Sequence, residues 1–114
     1  MSGSLILTPT DEATGDQFGS SVAFSADGLT AIVGGYRDTV GSNNYQGSAR
    51  VFVWNGSSWV QRGLALTPAD GASSDYFGWA VSLSADGLTA IVGGFGDDVG
   101  SNGDQGSARV FVWN

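Results

Sequence analysis

Short runs of β-branched and aromatic residues alternate along the chain with clusters of glycine, aspartate, asparagine and serine. Such a pattern predicts strands joined by turns, and no stretch has the period of an amphipathic helix. In the first half of the chain the predicted strands cover residues 21–25, 29–35, 49–54 and 58–67. Residues 26–28 form a tight turn whose glycine supplies the positive φ of such a hairpin. The sequence therefore predicts an all-β fold.

The same pattern occurs twice, at an offset of 59 residues. Residues 25–35 return unchanged as 84–94, and 36 of the 51 positions aligned between 5–55 and 64–114 are identical. A fixed period of this size is typical of repeat architectures. We therefore divide the chain into a first repeat at 5–63 and a second at 64–114, in which the outer strand is incomplete. The near identity of the copies indicates recent duplication or deliberate amplification.

Two strands of each copy are apolar on both faces, namely those at 29–35 and 49–54 in the first copy. A sheet of such strands must be covered on both sides. Since no helix is predicted, the cover expected is another copy of the same sheet. Four-stranded antiparallel sheets stacked in this way are the blades of a β-propeller, two to this chain.

Three motifs in each copy carry a resemblance to a known family. In the first copy they are Phe18-Gly19 followed by Ser21-Val22-Ala23, Ala-Ile-Val-Gly-Gly at 31–35, and Gly-Ser-Ala-Arg-Val-Phe-Val at 47–53. They resemble the FG-GAP repeats of integrin-like β-propellers. The resemblance implies four-stranded blades, usually about seven to a ring, an extracellular setting and ligand contacts from loops on one face. It specifies fold more closely than function.

Charge and composition exclude several classes of function. Eleven acidic residues against four arginines give a net charge of −7, so neither nucleic acid nor an anionic membrane is an expected partner. The chain has no histidine, cysteine or lysine to serve as a base near neutral pH, and its carboxylates lie in turn-like contexts. We therefore expect no enzyme activity. The compartment is left open.

No cofactor is expected, and calcium is the one metal to consider. Many relatives of the resembled family carry an aspartate-rich calcium loop between the first two strands, but here that turn has a single carboxylate, Asp27 or Asp86. A different acidic cluster, Asp97, Asp98 and Asp104, lies in the long loop of the second copy alone. A solvated loop is the favoured interpretation of this cluster, with a calcium site as the alternative.

Aromatic residues near the loops are the candidate ligand contacts. They are Tyr36, Tyr45, Trp79 and Phe95, and Trp79 stands where the first copy has Ser20. For Trp79 packing between blades is the favoured role, with ligand contact as the alternative. For Trp54 and Trp113, in strands that are apolar on both faces, we expect core packing rather than sugar stacking.

Two blades cannot close a ring, and an open pair leaves apolar faces and a strand edge exposed. We therefore predict a cyclic homo-oligomer with strand exchange, closed by residues Leu5, Ile6, Leu7, Val110, Phe111 and Val112. Three chains would supply six blades and four would supply eight, and the tetramer is slightly favoured. The function predicted is that of a structural, self-assembling propeller fragment, excised from a longer array or engineered. The alternative is an extracellular module that binds a glycan or a protein through its loops.

Overall fold

The strands form two antiparallel sheets, one for each copy of the repeat. The computed structural model describes residues 7, 18–37, 40, 44–67, 75–96 and 106–114. In chain order the strands are β1 (Ser21–Phe24), β2 (Thr30–Gly35), β3 (Ser48–Trp54), β4 (Trp59–Gln61), β5 (Phe77–Leu83), β6 (Thr89–Gly94) and β7 (Ser107–Val112). The first sheet has the order β1-β2-β3-β4 and the second β5-β6-β7, which confirms the all-β prediction. No helix in this part of the chain is long and apolar enough to cross a membrane.

Both sheets have the same pairing register. Ile32 of β2 lies opposite Val51 of β3, and 59 residues further on Ile91 of β6 lies opposite Val110 of β7. The first and second strands of each copy also pair alike, except that β5 starts earlier and has an irregularity between Phe77 and Ala80. Register depends on the apolar alternation and on turn length, and both are the same in the two copies.

The turn between the first two strands is held by one serine and one aspartate. Asp27 Oδ1 accepts hydrogen bonds from Ser25 Oγ at 2.7 Å and from the backbone N–H of Leu29 at 2.9 Å. Ser25 Oγ in turn accepts from the backbone N–H of Thr30 at 3.2 Å. Gly28 has a φ of 73°, as the sequence predicted for this turn. The second copy repeats these three hydrogen bonds around Asp86.

The fourth strand of the first copy is interrupted. After β4 the N–H of Arg62 still donates to Val51 O at 2.7 Å, and Leu66 then exchanges hydrogen bonds of 2.7 and 3.1 Å with Ala49. Three residues lie between Arg62 and Leu66 but only one lies between Val51 and Ala49. The extra residues leave the ladder as a bulge. The predicted continuous strand over 58–67 is therefore wrong in its middle part.

The two sheets pack face to face and share one core. Since side chains alternate along a strand, the row that contains Ile32 and Val51 faces the second sheet. The side chains that this packing buries are Ile32, Ala49, Val51, Phe77, Ala90 and Val92. Covering one apolar sheet with the other confirms the stacking expected from the sequence.

The sheets approach so closely at one end that only glycine fits. A Cβ on Gly34 of β2 would collide with the carbonyl of Gly78 on β5, and a Cβ on Gly78 would collide with the carbonyl of Ser48. Gly47 meets the backbone of Phe77 in the same way and forms a parallel bridge with it. Strand glycines of this kind mark places where another backbone comes near.

Hydrogen bonds cross the junction between the sheets at both ends. At the end opposite the glycines, the N–H of Ala26 donates to Ala85 O at 3.0 Å and so joins the two turns. At the glycine end the bonds are Ser21 Oγ to Gly78 O at 2.7 Å, the N–H of Tyr76 to Tyr45 O at 3.0 Å, and the N–H of Phe77 to Gln46 O at 2.8 Å. The junction therefore fixes both the distance and the register of the two blades.

We predict that the two turn aspartates make the stability of the fold pH-dependent. Hydrogen bonds from Leu29 and Ser25 lower the pKa of Asp27 below 3.8, and those from Ser84 and Leu88 do the same for Asp86. A lowered pKa in the folded state gives stability that is present above the unfolded pKa and is lost as the pH falls through the folded pKa. The double variant Asp27→Asn, Asp86→Asn should therefore lose less stability than the parent between pH 6 and about pH 2.5, measured by urea unfolding. Equal losses in the two proteins would contradict this role.

Candidate functional site

The four aromatic residues singled out in the sequence lie together at the junction of the two blades. Tyr36 follows β2, Tyr45 precedes β3, Trp79 lies in β5 and Phe95 follows β6. Two of them belong to the first copy and two to the second. The glycine contact described above brings the ends of these strands together, and the rings then meet beside it. We call this group, with Tyr76 and Arg37, the aromatic cluster.

Four of the rings form a closed circuit of contacts. Trp79 lies edge-on to both Tyr36 and Phe95, with ring centroids 4.8 Å apart in each pair. Phe95 stacks on Tyr76 at 4.8 Å with an interplanar angle of 5°, and Tyr76 reaches Tyr36 at 5.9 Å. Offset stacked and edge-to-face pairs are the favoured geometries of aromatic rings. Trp79 therefore contacts both blades, in line with the packing role favoured from the sequence.

Tyr76 is the centre of the cluster, and sequence reasoning missed it. Besides Phe95 and Tyr36 it stacks on Tyr45, with centroids 6.1 Å apart and planes 17° apart. Tyr76 and Tyr45 have φ values of 55° and 59°, a backbone region that residues with a side chain seldom adopt. Two such tyrosines in contact indicate that the packing of the cluster over-determines the loop conformation.

Arg37 is the second residue that the sequence did not single out. Its guanidinium lies 5.8 Å from the ring centroid of Tyr36 and 5.5 Å from that of Tyr45. A cation over two ring faces is attracted by their quadrupoles. Arg37 stands where the second copy has Gly96 and Tyr76 stands where the first has Gln17, so copy-to-copy differences are the signal that could have found both.

The chemistry of the cluster is that of a flat, apolar surface with polar edges. Tyr45, Trp79 and Phe95 are each close to half exposed. Trp79 and Phe95 also line a shallow depression of about 250 Å³ with Gly93, Gly94, Gly106 and Ser107. Exposed rings of this kind can stack on the C–H face of a sugar or on an apolar side chain. Whether they bind a ligand stays a prediction.

A second cavity lies at the far edge of the junction. Its volume is about 330 Å³ and its walls are mostly apolar, with Leu66 on one side and Phe111 and Trp113 on the other. Arg62 lies across it, with its guanidinium 4.9 Å from the Trp113 ring and Nη2 donating to Gly87 O at 2.8 Å. Burial lowers the pKa of the Arg62 guanidinium, which stays protonated. Trp113 is thus a half-exposed surface residue and not the core residue that the sequence predicted.

The acidic residues of the described chain do not form a metal site. No group of three or more potential metal ligands exists within residues 7, 18–37, 40, 44–67, 75–96 and 106–114. The candidate calcium cluster Asp97, Asp98 and Asp104 lies outside these residues, so that alternative is untested. Asp27 and Asp86 are ionised hydrogen-bond acceptors in turns, since their lowered pKa is the reverse of what a general acid needs.

The structure describes four of the six residues that the sequence predicted to close an oligomer. Val110 and Val112 of β7 are exposed and Phe111 is partly buried against the core. Within the described chain, β6 is the single strand that pairs with β7, so the other edge of β7 is open. Leu7 is described, whereas Leu5 and Ile6 lie outside the described residues.

These observations define the class of the protein, over the residues that the structure describes, as a repeat of antiparallel β-sheets that stack like blades. Its sequence matches the family model of the FG-GAP repeat over residues 5–52 and again over 59–111, so the chain belongs to the FG-GAP repeat family. That family is structural and recognition-related, not enzymatic. The family resemblance identified from the sequence motifs is therefore confirmed. Neither the curated proteins nor the solved structures contain a match to the chain.

We predict that replacing Tyr76 destabilises the protein more than replacing Tyr45. Asparagine tolerates positive φ, so Tyr76→Asn and Tyr45→Asn both remove a ring while keeping the backbone conformation. Tyr76 loses three ring partners, whereas Tyr45 loses one ring partner and the Arg37 cation. At about 0.5–1.5 kcal/mol per aromatic pair and about 0.5–1 kcal/mol for the cation, the difference in unfolding free energy should be about 0.5–2 kcal/mol. Equal losses in denaturant titrations would show that Tyr76 is not the centre of the cluster.

Proposed function

We propose that the chain is a structural module that assembles with further copies of itself into a closed ring of stacked blades. The observation that carries the proposal is a difference in burial between identical residues of the two copies. Ile32 is 0% exposed and its repeat counterpart Ile91 is 44% exposed, and Val51 is 5% exposed against 61% for Val110. Ile32 and Val51 are buried because the second blade covers them.

On the opposite face of the first blade the edge strand β1 is exposed, whereas Ala31, Val33 and Phe52 of the central strands are buried. Val22 and Phe24 of β1 are exposed, whereas their counterparts Val81 and Leu83 of β5 pack against the shared core. The open face of the second blade therefore has the residues that the second blade buries in the first, and on the other side the first blade exposes its edge strand β1. Two different complementary faces favour a head-to-tail contact, which closes into a ring when the rotation permits.

Strand exchange would complete the last blade. In the first copy Leu66 exchanges two hydrogen bonds with Ala49. The counterparts of these residues at an offset of 59 are Leu7 and Ala108, and the edge of β7 that carries Ala108 is open within the described chain. Pairing of the segment around Leu7 with β7 of a neighbouring chain would repeat the observed bridge. Blades come in twos, which permits six blades from three chains or eight from four and excludes a ring of seven, and of the two we favour eight.

The assembly is tested by native mass, which should correspond to a tetramer or a trimer at micromolar concentration and should not change when a chelator is added. Val110→Asp places a charge on the open face of the second blade, where it would be buried without a partner, and should give a monomer. Leu64→Asp is the control, since Leu64 is highly exposed and lies outside both sheets, and it should leave the mass unchanged. A parent protein that is monomeric by light scattering would overturn the proposal. Sensitivity to the chelator would instead favour calcium at Asp97, Asp98 and Asp104.

Recognition of a glycan or a protein is the second candidate function, and the aromatic cluster favours it. Three half-exposed rings beside a depression offer more stacking surface than packing between blades needs. The net charge of −7 disfavours polyanions, so a neutral glycan is the ligand class expected.

The recognition candidate predicts that Trp79→Ser, which restores the residue of the first copy, weakens binding of neutral oligosaccharides on an array at least tenfold. The native mass of this variant is measured alongside, because Trp79 lines the same depression as Gly93 and the two proteins are compared at equal mass. Trp59→Ser serves as the tryptophan control, since Trp59 lies in β4, away from the cluster. Equal array binding by the parent and Trp79→Ser would exclude the cluster as the glycan site.

A further inference from the structure

Among the residues that the structure describes, none requires a glycine at position 93. Gly93 lies inside β6, where glycine weakens a strand, and its backbone is not in the positive-φ region. A Cβ added to Gly93 would meet nothing closer than Ala80, at 3.9 Å, which is ordinary contact. An alanine would therefore fit in the isolated chain and should stabilise it.

The repeat counterpart of Gly93 explains what such a glycine is for. Gly34 occupies the same position in β2, and a Cβ there would collide with the carbonyl oxygen of Gly78 in the second blade. A Cβ on Gly34 would also collide with Ser21 Oγ of its own blade, which itself donates to the Gly78 carbonyl, so the docked segment and this serine together require the glycine. The corresponding face at Gly93 is open in the described chain.

We propose that Gly93 is the docking point for the segment Phe18-Gly19 of a second copy of this chain. The inference rests on the stacking proposed above and specifies its closest contact. Gly19 and Gly78 both have a φ of 95°. The segment Phe18-Gly19 therefore already has, at its glycine, the backbone angle that Phe77-Gly78 has where it docks on the first blade. A Cβ added to Gly19 would meet nothing within 4 Å, so the side of Gly19 that would approach Gly93 is free of other atoms.

The same comparison predicts that the contact between chains is weaker than the contact within one. Within the chain Ser21 Oγ donates to Gly78 O at 2.7 Å, but the residue that would make this bond between chains is Ala80. Trp79, Tyr76 and Arg37 of the aromatic cluster correspond to Ser20, Gln17 and Gly96. A junction formed by these residues has neither the ring circuit nor the serine hydrogen bond. Dilution should therefore separate whole chains while each pair of blades stays together.

Two matched glycine variants test the proposal on the full chain. Gly93→Ala should give monomers at concentrations where the parent is assembled, with an unchanged far-ultraviolet circular dichroism spectrum and a melting temperature no lower than that of the dissociated parent. Gly34→Ala makes the same change where the blade is already docked, and it should lower the melting temperature of the monomer itself. Assembly of Gly93→Ala with the mass and affinity of the parent would overturn the proposal.

A gain-of-contact variant gives a readout that a folding defect could not imitate. Ala80→Ser supplies the hydroxyl that Ser21 supplies within the chain, and it should lower the dissociation constant between chains about fivefold in sedimentation equilibrium. An unchanged or higher constant would count against docking at Gly93. If the parent never assembles, the proposed function itself fails. If the parent assembles and both variants behave like it, stacking stands and the contact at Gly93 is wrong.

Discussion

The close approach of two backbones at Gly34 and Gly78 is the contact on which the rest of the structure depends. Because neither residue has a Cβ, the second blade can lie directly against the ends of β2 and β3. That distance lets Ile32 of the first blade and Val92 of the second be fully buried in one shared core. It also brings the loops that carry Tyr36, Tyr45, Tyr76 and Phe95 within ring-contact distance, so the core and the candidate site have one cause.

The strands, their order and their register were predictable because they follow from local pattern. Alternation of apolar residues and a four-residue turn determine a hairpin, and the duplication repeats it. The interruption after β4 was not predictable in the same way. Arg62 and Leu66 both continue the strand pattern, and the mismatch appears only when the residues between them are counted against the partner strand, between Val51 and Ala49.

The candidate site was half predictable for a related reason. Tyr36, Tyr45, Trp79 and Phe95 stood out as aromatic residues near loops, but nothing local places them together, since two belong to each blade. The role of Tyr76 was not predicted because the residue directly precedes Phe77 and resembles part of the family motif. In the structure its backbone is in the left-handed region and its ring stacks on Phe95. The role of Arg37 was not predicted because a lone loop arginine usually indicates only a solvated charge. Long-range packing, which a single sequence does not display, decided the role of both.

The distribution of differences between the copies separates two requirements on the chain. The sheet residues that stack, such as Ile32 and Val51, are identical in the second copy, so any blade of this repeat can lie against any other. The residues of the aromatic cluster differ between copies, so the ring circuit can form at the junction within the chain and not where two chains would meet. Stacking uses the faces of the sheets, whereas the cluster lies at one end of the blades. A ring built from such chains would therefore present aromatic surfaces at alternate junctions only, and Gly93, which lines the depression beside Trp79, is where the docking contact and the candidate recognition surface meet.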